Sequence, residues 1–162
     1  MIGGSCLCGA VKFQLRQAVG PFEMCHCNRC RKKSGSSSLA MIGVLAEDYQ
    51  LVCGKEQICS YSAPILYTAP AYTSYFCKIC GSPTPPDEMS DFFEIPAGLL
   101  DDSPGIKPDK HIFTDFAPEW DNISQELPQY TLKQLYGLRH GKDLPPHTKI
   151  KSHYDSDDAK GE

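Results

Sequence analysis

The sequence has no long hydrophobic run and no recognisable export leader. Its longest weakly polar stretch covers residues 39–46, whereas a helix that crosses a bilayer needs about 20 apolar residues. The first residues, Met-Ile-Gly-Gly-Ser-Cys, carry neither the basic nor the apolar segment of a secretory signal. We therefore expect a cytoplasmic protein with no membrane partner.

Basic residues are fewer than acidic residues. Sixteen Lys and Arg residues stand against 20 Asp and Glu residues, which gives a formal net charge of −4. Binding to a nucleic acid needs a basic surface that neutralises phosphates, so we expect no nucleic-acid partner. Internal repeats are absent, and 162 residues fit one ordinary domain. We predict a single domain over residues 1–150 and a polar, disordered tail over residues 151–162.

Glycine and proline are frequent, with 13 of each, and this limits the length of any regular segment. Val11, Phe13 and Leu15 alternate with polar residues, which is the pattern of a strand with one buried face. Segments rich in β-branched and aromatic residues predict further strands at residues 39–45, 65–68, 73–76 and 92–95. One short helix is predicted over residues 131–138, where three apolar side chains share a face. The expected fold class is therefore mainly β, with antiparallel sheets.

Nine cysteines are many for a chain of this length. Thiols stay reduced in the cytoplasm, so clustered cysteines there indicate metal binding rather than disulfides. Seven of the nine fall into three tight groups, which are Cys6 with Cys8, Cys25 with Cys27 and Cys30, and Cys77 with Cys80. Such spacings let several thiolates converge on one ion, and zinc is the usual partner of these sets.

The seven cysteines divide into a set of four and a set of three. A structural zinc has four protein ligands, whereas a catalytic zinc has three and keeps a place for water or substrate. We assign the two outer pairs to a closed site, the four-cysteine cluster, and the remaining three to an open site, the three-cysteine cluster. The spacing alone leaves a second arrangement open, in which the three cysteines take a fourth thiol from elsewhere. His26 is not expected as a ligand, because the bent Cys-His-Cys segment turns its ring away from the metal.

A basic run follows the first two cysteines of the three-cysteine cluster and consists of Arg29, Arg31, Lys32 and Lys33. The run has two interpretations. It is either a solvated face, or it compensates the excess thiolate charge of the cluster and so favours the approach of a carboxylated ligand.

The three cysteine groups also have characteristic flanking residues. Their motifs are Gly4-x-Cys6-x-Cys8-Gly9-Ala10-Val11-x-Phe13, Cys25-His26-Cys27-x-x-Cys30-Arg31-x-x-Ser34-Gly35 and Phe76-Cys77-x-x-Cys80-Gly81-Ser82-Pro83. Together they resemble the glutathione-dependent formaldehyde-activating enzyme (GFA) family, which also includes centromere protein V. Looser matches continue, so the resemblance spans residues 3–130.

This resemblance implies a β-tent fold, a structural zinc on the four-cysteine cluster and a catalytic zinc on the three-cysteine cluster. Residues 1–150 would then be a GFA-like zinc-binding domain. The namesake reaction joins glutathione and formaldehyde to S-hydroxymethylglutathione and belongs to the carbon–sulfur lyases. The expected cofactor is two zinc ions per chain, with glutathione as co-substrate, and the expected partners are a small-molecule thiol and an aldehyde.

The resemblance does not determine the substrate, since proteins that share a fold and its metal sites can act on different substrates. Two other functions stay open at this point. One is a zinc-stabilised binding or chaperone-like module without catalysis. The other is a GFA-like enzyme that acts on another small electrophile.

The remaining chemically interesting side chains have structural interpretations. Cys53 and Cys59 are expected to be buried small thiols or incidental ones. His111 is expected to be a packed or rim histidine on a strand, and Trp120 a core or pocket aromatic. Residues 101–102, both Asp, predict a turn before Ser-Pro-Gly.

Overall fold

Ten strands, two α-helices and four short 3₁₀ helices form the regular structure of residues 1–87 and 90–151, the part of the chain that the computed structural model describes. The strands are β1 Ile2–Ser5, β2 Lys12–Leu15, β3 Phe22–Cys25, β4 Leu39–Leu45, β5 Tyr49–Cys53, β6 Ile58–Ser62, β7 Thr73–Cys77, β8 Phe92–Pro96, β9 Lys110–Ile112 and β10 Gln129–Tyr130. The α-helices are α1 Asn28–Ser34 and α2 Leu132–His140. The prediction of a mainly β, antiparallel fold is confirmed, with β9 and β10 pairing in parallel. Within the described ranges, neither helix is long and apolar enough to cross a bilayer.

The chain forms two compact units, and the first contains residues 1–24, 40–61 and 74–109. In this unit β2 pairs antiparallel with β1 on one side and β5 on the other. Strand β4 lies beside β3 and pairs antiparallel with β8. The sheets bury a large apolar cluster, whose members are Phe13, Leu15, Phe22, Ile42, Val44, Phe93, Ile95 and Leu99.

Strand β2 illustrates why these segments form sheets. Phe13 and Leu15 are buried while Lys12 and Gln14 are exposed, as the alternation in the sequence predicts. Burial of each large apolar side chain stabilises the folded state by about 2 kcal/mol. The first unit is therefore organised by the apolar faces of short strands.

The second unit contains residues 25–39, 62–73 and, of the described chain, residues 110–151. Helix α2 begins after the N-cap Thr131, whose hydroxyl accepts from the Gln134 backbone N–H at 3.3 Å. The Gln134 side chain accepts from the Thr131 backbone N–H at 2.9 Å, which completes a capping box. The apolar face that predicted this helix, Leu132, Leu135 and Tyr136, is buried. The predicted helix is confirmed.

Four of the five predicted strands are confirmed, as β2, β4, β7 and β8. The prediction of a strand at residues 65–68 is wrong, because the segment runs through consecutive bends. Pro64 and Pro70 flank it and lack the N–H that a ladder needs. Its one buried side chain is Leu66, whose carbonyl accepts from the Lys151 N–H at 2.9 Å.

Helix α1 was not predicted. Its seven residues carry no apolar stripe, and it is defined instead by its ends, with Cys27 as N-cap and Gly35 as C-cap. The predicted tail lies outside the described residues beyond Lys151, and its boundary with the domain stays a prediction.

Candidate metal centres

The first candidate centre is the four-cysteine cluster in the first unit. Its four Sγ atoms lie within 4.8 Å of one another. Cys8 Sγ is 3.6 Å from Cys6 Sγ and 3.9 Å from Cys77 Sγ. A disulfide needs about 2.05 Å between its sulfurs, whereas two thiolates on one tetrahedral zinc lie about 3.8 Å apart for a zinc–sulfur bond of about 2.3 Å. The spacing fits four ligands on a single zinc ion.

Backbone turns bring these sulfurs together. The Val11 N–H donates to Cys6 Sγ at 3.3 Å, and the Gly81 N–H donates to the Cys77 carbonyl at 2.8 Å. Gly81 has φ +73°, a left-handed conformation that closes the turn after Cys80 and that other residues rarely adopt. The Ser82 backbone N–H lowers the pKa of Cys80 to about 6. A cysteine with this pKa is a thiolate at neutral pH, the form that binds metal.

The second candidate centre is the three-cysteine cluster in the second unit. Cys25 ends β3, Cys27 is the N-cap of α1 and Cys30 lies in the first turn of that helix. All three are buried, and their Sγ atoms lie within 4.8 Å of one another. Among the described residues, no fourth Cys, His, Asp or Glu belongs to this group. The described part of the chain thus offers three sulfur ligands here.

Proton sharing within the three-cysteine cluster favours one thiolate. Hydrogen bonds from the Cys25 and Cys30 thiols hold the pKa of Cys27 well below its ordinary value. The same hydrogen bond to Cys27 raises the pKa of Cys25 well above that value. The Cys30 backbone N–H also donates to Cys27 Sγ, at 3.5 Å. The cluster therefore presents an anionic sulfur to a cation at neutral pH.

His26 lies between two of these cysteines, but its ring nitrogens face other groups. Its Nε2 is 2.9 Å from Nδ1 of His111, and its Nδ1 is 3.1 Å from a carboxylate oxygen of Asp121. The His26 backbone N–H donates to the Ile112 carbonyl of β9 at 2.9 Å. These contacts attach the Cys25–Cys27 segment to β9. Burial lowers the pKa of both histidines, so both are neutral at pH 7.

The sequence model of the family described as "Glutathione-dependent formaldehyde-activating enzyme" matches residues 1–116 of this chain. This chain belongs to the GFA family. A curated relative from Halomonas elongata, named "Putative glutathione-dependent formaldehyde-activating enzyme", is 29% identical over 131 residues, covering 76% of this chain and 81% of the relative. A crystal structure of a Rhodobacter sphaeroides protein covers 78% of this chain and 98% of its own, at 20% identity and a TM-score of 0.47. The resemblance seen in the cysteine motifs is confirmed.

Next to the three-cysteine cluster of this GFA-family chain, two cations of α1 share one aromatic ring. The Arg29 guanidinium carbon lies 5.3 Å and Lys33 Nζ 5.4 Å from the ring centroid of Tyr72. Lys33 Nζ also donates to the Tyr72 hydroxyl at 2.9 Å. Burial lowers the pKa of Lys33 to about 8. Sequence reasoning found the two cations but not Tyr72, which is 39 positions from Lys33.

The other residues singled out from the sequence lie outside both clusters. The prediction that Trp120 is a core or pocket aromatic is wrong, because 70% of this residue is exposed. Cys53 is exposed and Cys59 half-buried, so burial is a wrong expectation for Cys53. His111 is buried on β9, as expected. Residues 101–102 form a bend, and the Asp102 carboxylate accepts from the Gly3 N–H at 2.8 Å.

Proposed function

We propose that this protein is a zinc-dependent carbon–sulfur lyase of the GFA type, which joins glutathione and formaldehyde to S-hydroxymethylglutathione. In this proposal the four-cysteine cluster holds a structural zinc and the three-cysteine cluster a catalytic one. Membership of the GFA family and the name of the Halomonas relative support the reaction class.

The observation that carries the proposal is the difference between the two clusters. Four sulfurs complete a tetrahedral zinc, whereas three buried sulfurs without a fourth ligand among the described residues leave one coordination place for an external group. Thiolates are soft ligands and favour zinc over the hard cations that prefer oxygen. A thiol is a matching fourth ligand, because it adds the same donor atom that the chain already supplies.

Zinc at this cluster would supply a lowered pKa for an incoming thiol and Lewis-acid polarisation of an oxygen. The chain supplies the rest. Cys25, Cys27 and Cys30 would hold the ion in a buried place, where water competes less with the substrate. His26 and His111, both neutral, keep the Cys25–Cys27 segment against β9 and so hold its sulfurs in position.

The reaction balances without a redox partner. The thiol sulfur forms a bond to the formaldehyde carbon while the carbonyl π bond opens, and the thiol proton ends on the new hydroxyl oxygen. No electrons are transferred to or from the protein. The same chemistry in reverse releases formaldehyde from the adduct, which accounts for the lyase class.

Turnover by the Cys27→Ser variant tests the proposal, with Cys59→Ser as a matched control outside both clusters. Formation of S-hydroxymethylglutathione is measured by nuclear magnetic resonance exchange at low formaldehyde, above the rate of the spontaneous reaction. We expect the wild type and Cys59→Ser to accelerate the exchange equally, and Cys27→Ser to retain its fold, bind one metal fewer and show only the background rate.

Two results would overturn the proposal. A wild type that binds two zinc ions but does not accelerate the exchange would favour a binding module, or an enzyme for a different electrophile. A Cys27→Ser variant with full activity would separate the reaction from the three-cysteine cluster.

A further inference from the structure

The pair of cations on Tyr72 is an unusual feature of the second unit. Arg29 and Lys33 are four positions apart on α1 and therefore project from one face of the helix. Both lie against the same tyrosine ring, at 5.3 and 5.4 Å from its centroid. Two like charges at one ring repel each other, so a group of opposite charge would stabilise the arrangement.

The negative charge that the described residues place near these cations is that of the cysteine sulfurs, since Arg29 helps to lower the pKa of Cys27. No carboxylate among the described residues lies within ion-pair distance of Arg29 or Lys33, and α1 has no acidic residue in its first turn. Arg29 Nε is buried without a hydrogen-bond partner in the same part of the chain. A buried donor of a charged group that lacks a partner is costly. Arg29 Nε is thus a donor that a bound carboxylate could satisfy.

Tyr72 adds a donor to the same place. Its hydroxyl oxygen accepts from Lys33 Nζ, so the hydroxyl proton is available to a second acceptor. Burial raises the pKa of Tyr72 above its ordinary value, which keeps that proton on the oxygen. An ammonium, a guanidinium and a neutral hydroxyl are the three donors that commonly bind a carboxylate.

The position of these donors relates them to the candidate catalytic centre. Arg29 directly precedes Cys30, and Lys33 follows it by about one helical turn. The charges of Cys25, Cys27 and Cys30 also help to raise the pKa of Tyr72, so its hydroxyl lies within electrostatic reach of the cluster.

We propose that Arg29, Lys33 and Tyr72 form a carboxylate-binding subsite that selects thiols carrying a carboxylate for the three-cysteine cluster. This inference rests on the proposed function and specifies its substrate class. The competing explanation is that the two cations only offset the charge of the cysteine thiolates, in which case they would affect metal binding and not the choice of thiol.

A matched pair of small thiols separates these explanations. 3-Mercaptopropionate and 2-mercaptoethanol have the same two-carbon spacing from the sulfur, but only the first carries a carboxylate. Calorimetry on the zinc-loaded protein at 0.15 M salt, on the order of physiological ionic strength, gives the affinity ratio for the two thiols. The variants are Lys33→Gln and Tyr72→Phe, and the control is Lys32→Gln, which removes the same charge from an exposed position on the same helix.

We expect the wild type and Lys32→Gln to share one affinity ratio in favour of the carboxylated thiol. Lys33→Gln should lower that ratio about tenfold or more, the value of one charge-assisted hydrogen bond. Tyr72→Phe keeps the ring against both cations and removes only the hydroxyl, so it should lower the ratio by less, at an unchanged zinc content.

The inference is overturned if the wild type binds the two thiols equally, or if Lys32→Gln lowers the ratio as much as Lys33→Gln. It is also overturned if Lys33→Gln loses zinc while Tyr72→Phe keeps both its zinc and the full ratio. Failure of the proposed function has a different signature, namely a preserved preference for 3-mercaptopropionate without any acceleration of the glutathione and formaldehyde reaction.

Discussion

Replacing Cys77 by serine should destabilise the protein by at least about 2.7 kcal/mol, and replacing Cys27 should cost much less. Loss of a group that merely supports a metal ligand weakens metal binding up to about 100-fold, so loss of a ligand should weaken it at least as much. If zinc binds only the folded state, a 100-fold weaker affinity lowers the free energy of unfolding by about 2.7 kcal/mol. In a chain of this length that corresponds to a fall in Tm of roughly 5–10 °C.

The two clusters differ in whether the unfolded chain can also bind the ion. Cys8 and Cys77 are 69 positions apart, and closing a loop of that length costs about 4 kcal/mol of chain entropy. The unfolded chain therefore cannot assemble four ligands without that cost. The three-cysteine cluster lies within six consecutive residues, so the unfolded chain binds zinc there too. Zinc that binds both the folded and the unfolded state contributes little to the free energy of unfolding.

Urea denaturation at a buffered zinc concentration measures both variants, with Cys59→Ser as the control for removal of a thiol. We expect the free energy of unfolding to follow the order Cys59→Ser above Cys27→Ser, with Cys77→Ser far below both. The reasoning is refuted if Cys27→Ser destabilises as much as Cys77→Ser, or if Cys77→Ser is as stable as the control.

Three other predictions concern the scaffold around the clusters. Gly54→Ala should lower the free energy of unfolding by at least about 2 kcal/mol, because the backbone is left-handed (φ +89°) and the new Cβ would overlap the Ala10 carbonyl. Gly35 is also left-handed but has open space where a Cβ would lie, so Gly35→Ala should lower it by only about 1 kcal/mol in the same urea titration. Thr131→Ala should lower stability by about 1 kcal/mol, since it removes the N-cap of α2, and a loss below experimental error would contradict the capping role. Burial lowers the pKa of His111, so the unfolded state takes up a proton before the folded state does as the pH falls below about 6.5. The stability of the wild type should therefore decrease from pH 7.5 to 5.5, and the stability of His111→Gln should decrease less. Equal slopes for the two proteins would show that His111 is not the cause.

Sequence patterns predict the segments of the fold whose structure depends on neighbouring residues. The alternation around Phe13 and the capping and apolar face of α2 both act within a few residues, and both segments form as predicted. The cysteine spacings predict two clusters of sulfurs, and the same two sets of cysteines lie close together in the structure. The segment around Leu66 shows the opposite case, because strand-forming residues without a ladder partner remain irregular.

The surroundings of the three-cysteine cluster were not predictable in the same way. His26 and His111 are 85 positions apart, and nothing in either local sequence indicates that the other will lie 2.9 Å away. Tyr72 likewise meets Lys33 only through the tertiary fold. Helix α1 lacks an apolar stripe and follows the N-cap Cys27, a residue type that is not among the usual N-caps, so Gly35 after its last residue is the one usual signal that the sequence offers.

In the proposed function, one cluster is closed by the chain and the other accepts an external ligand. Anomalous diffraction at the zinc absorption edge from crystals of the zinc-loaded protein measures this directly. The account predicts two zinc peaks per chain, one surrounded by the sulfurs of Cys6, Cys8, Cys77 and Cys80, the other by Cys25, Cys27 and Cys30 with a water or an added thiol as fourth ligand. A single zinc per chain, or a protein side chain as the fourth ligand of the second ion, would contradict it.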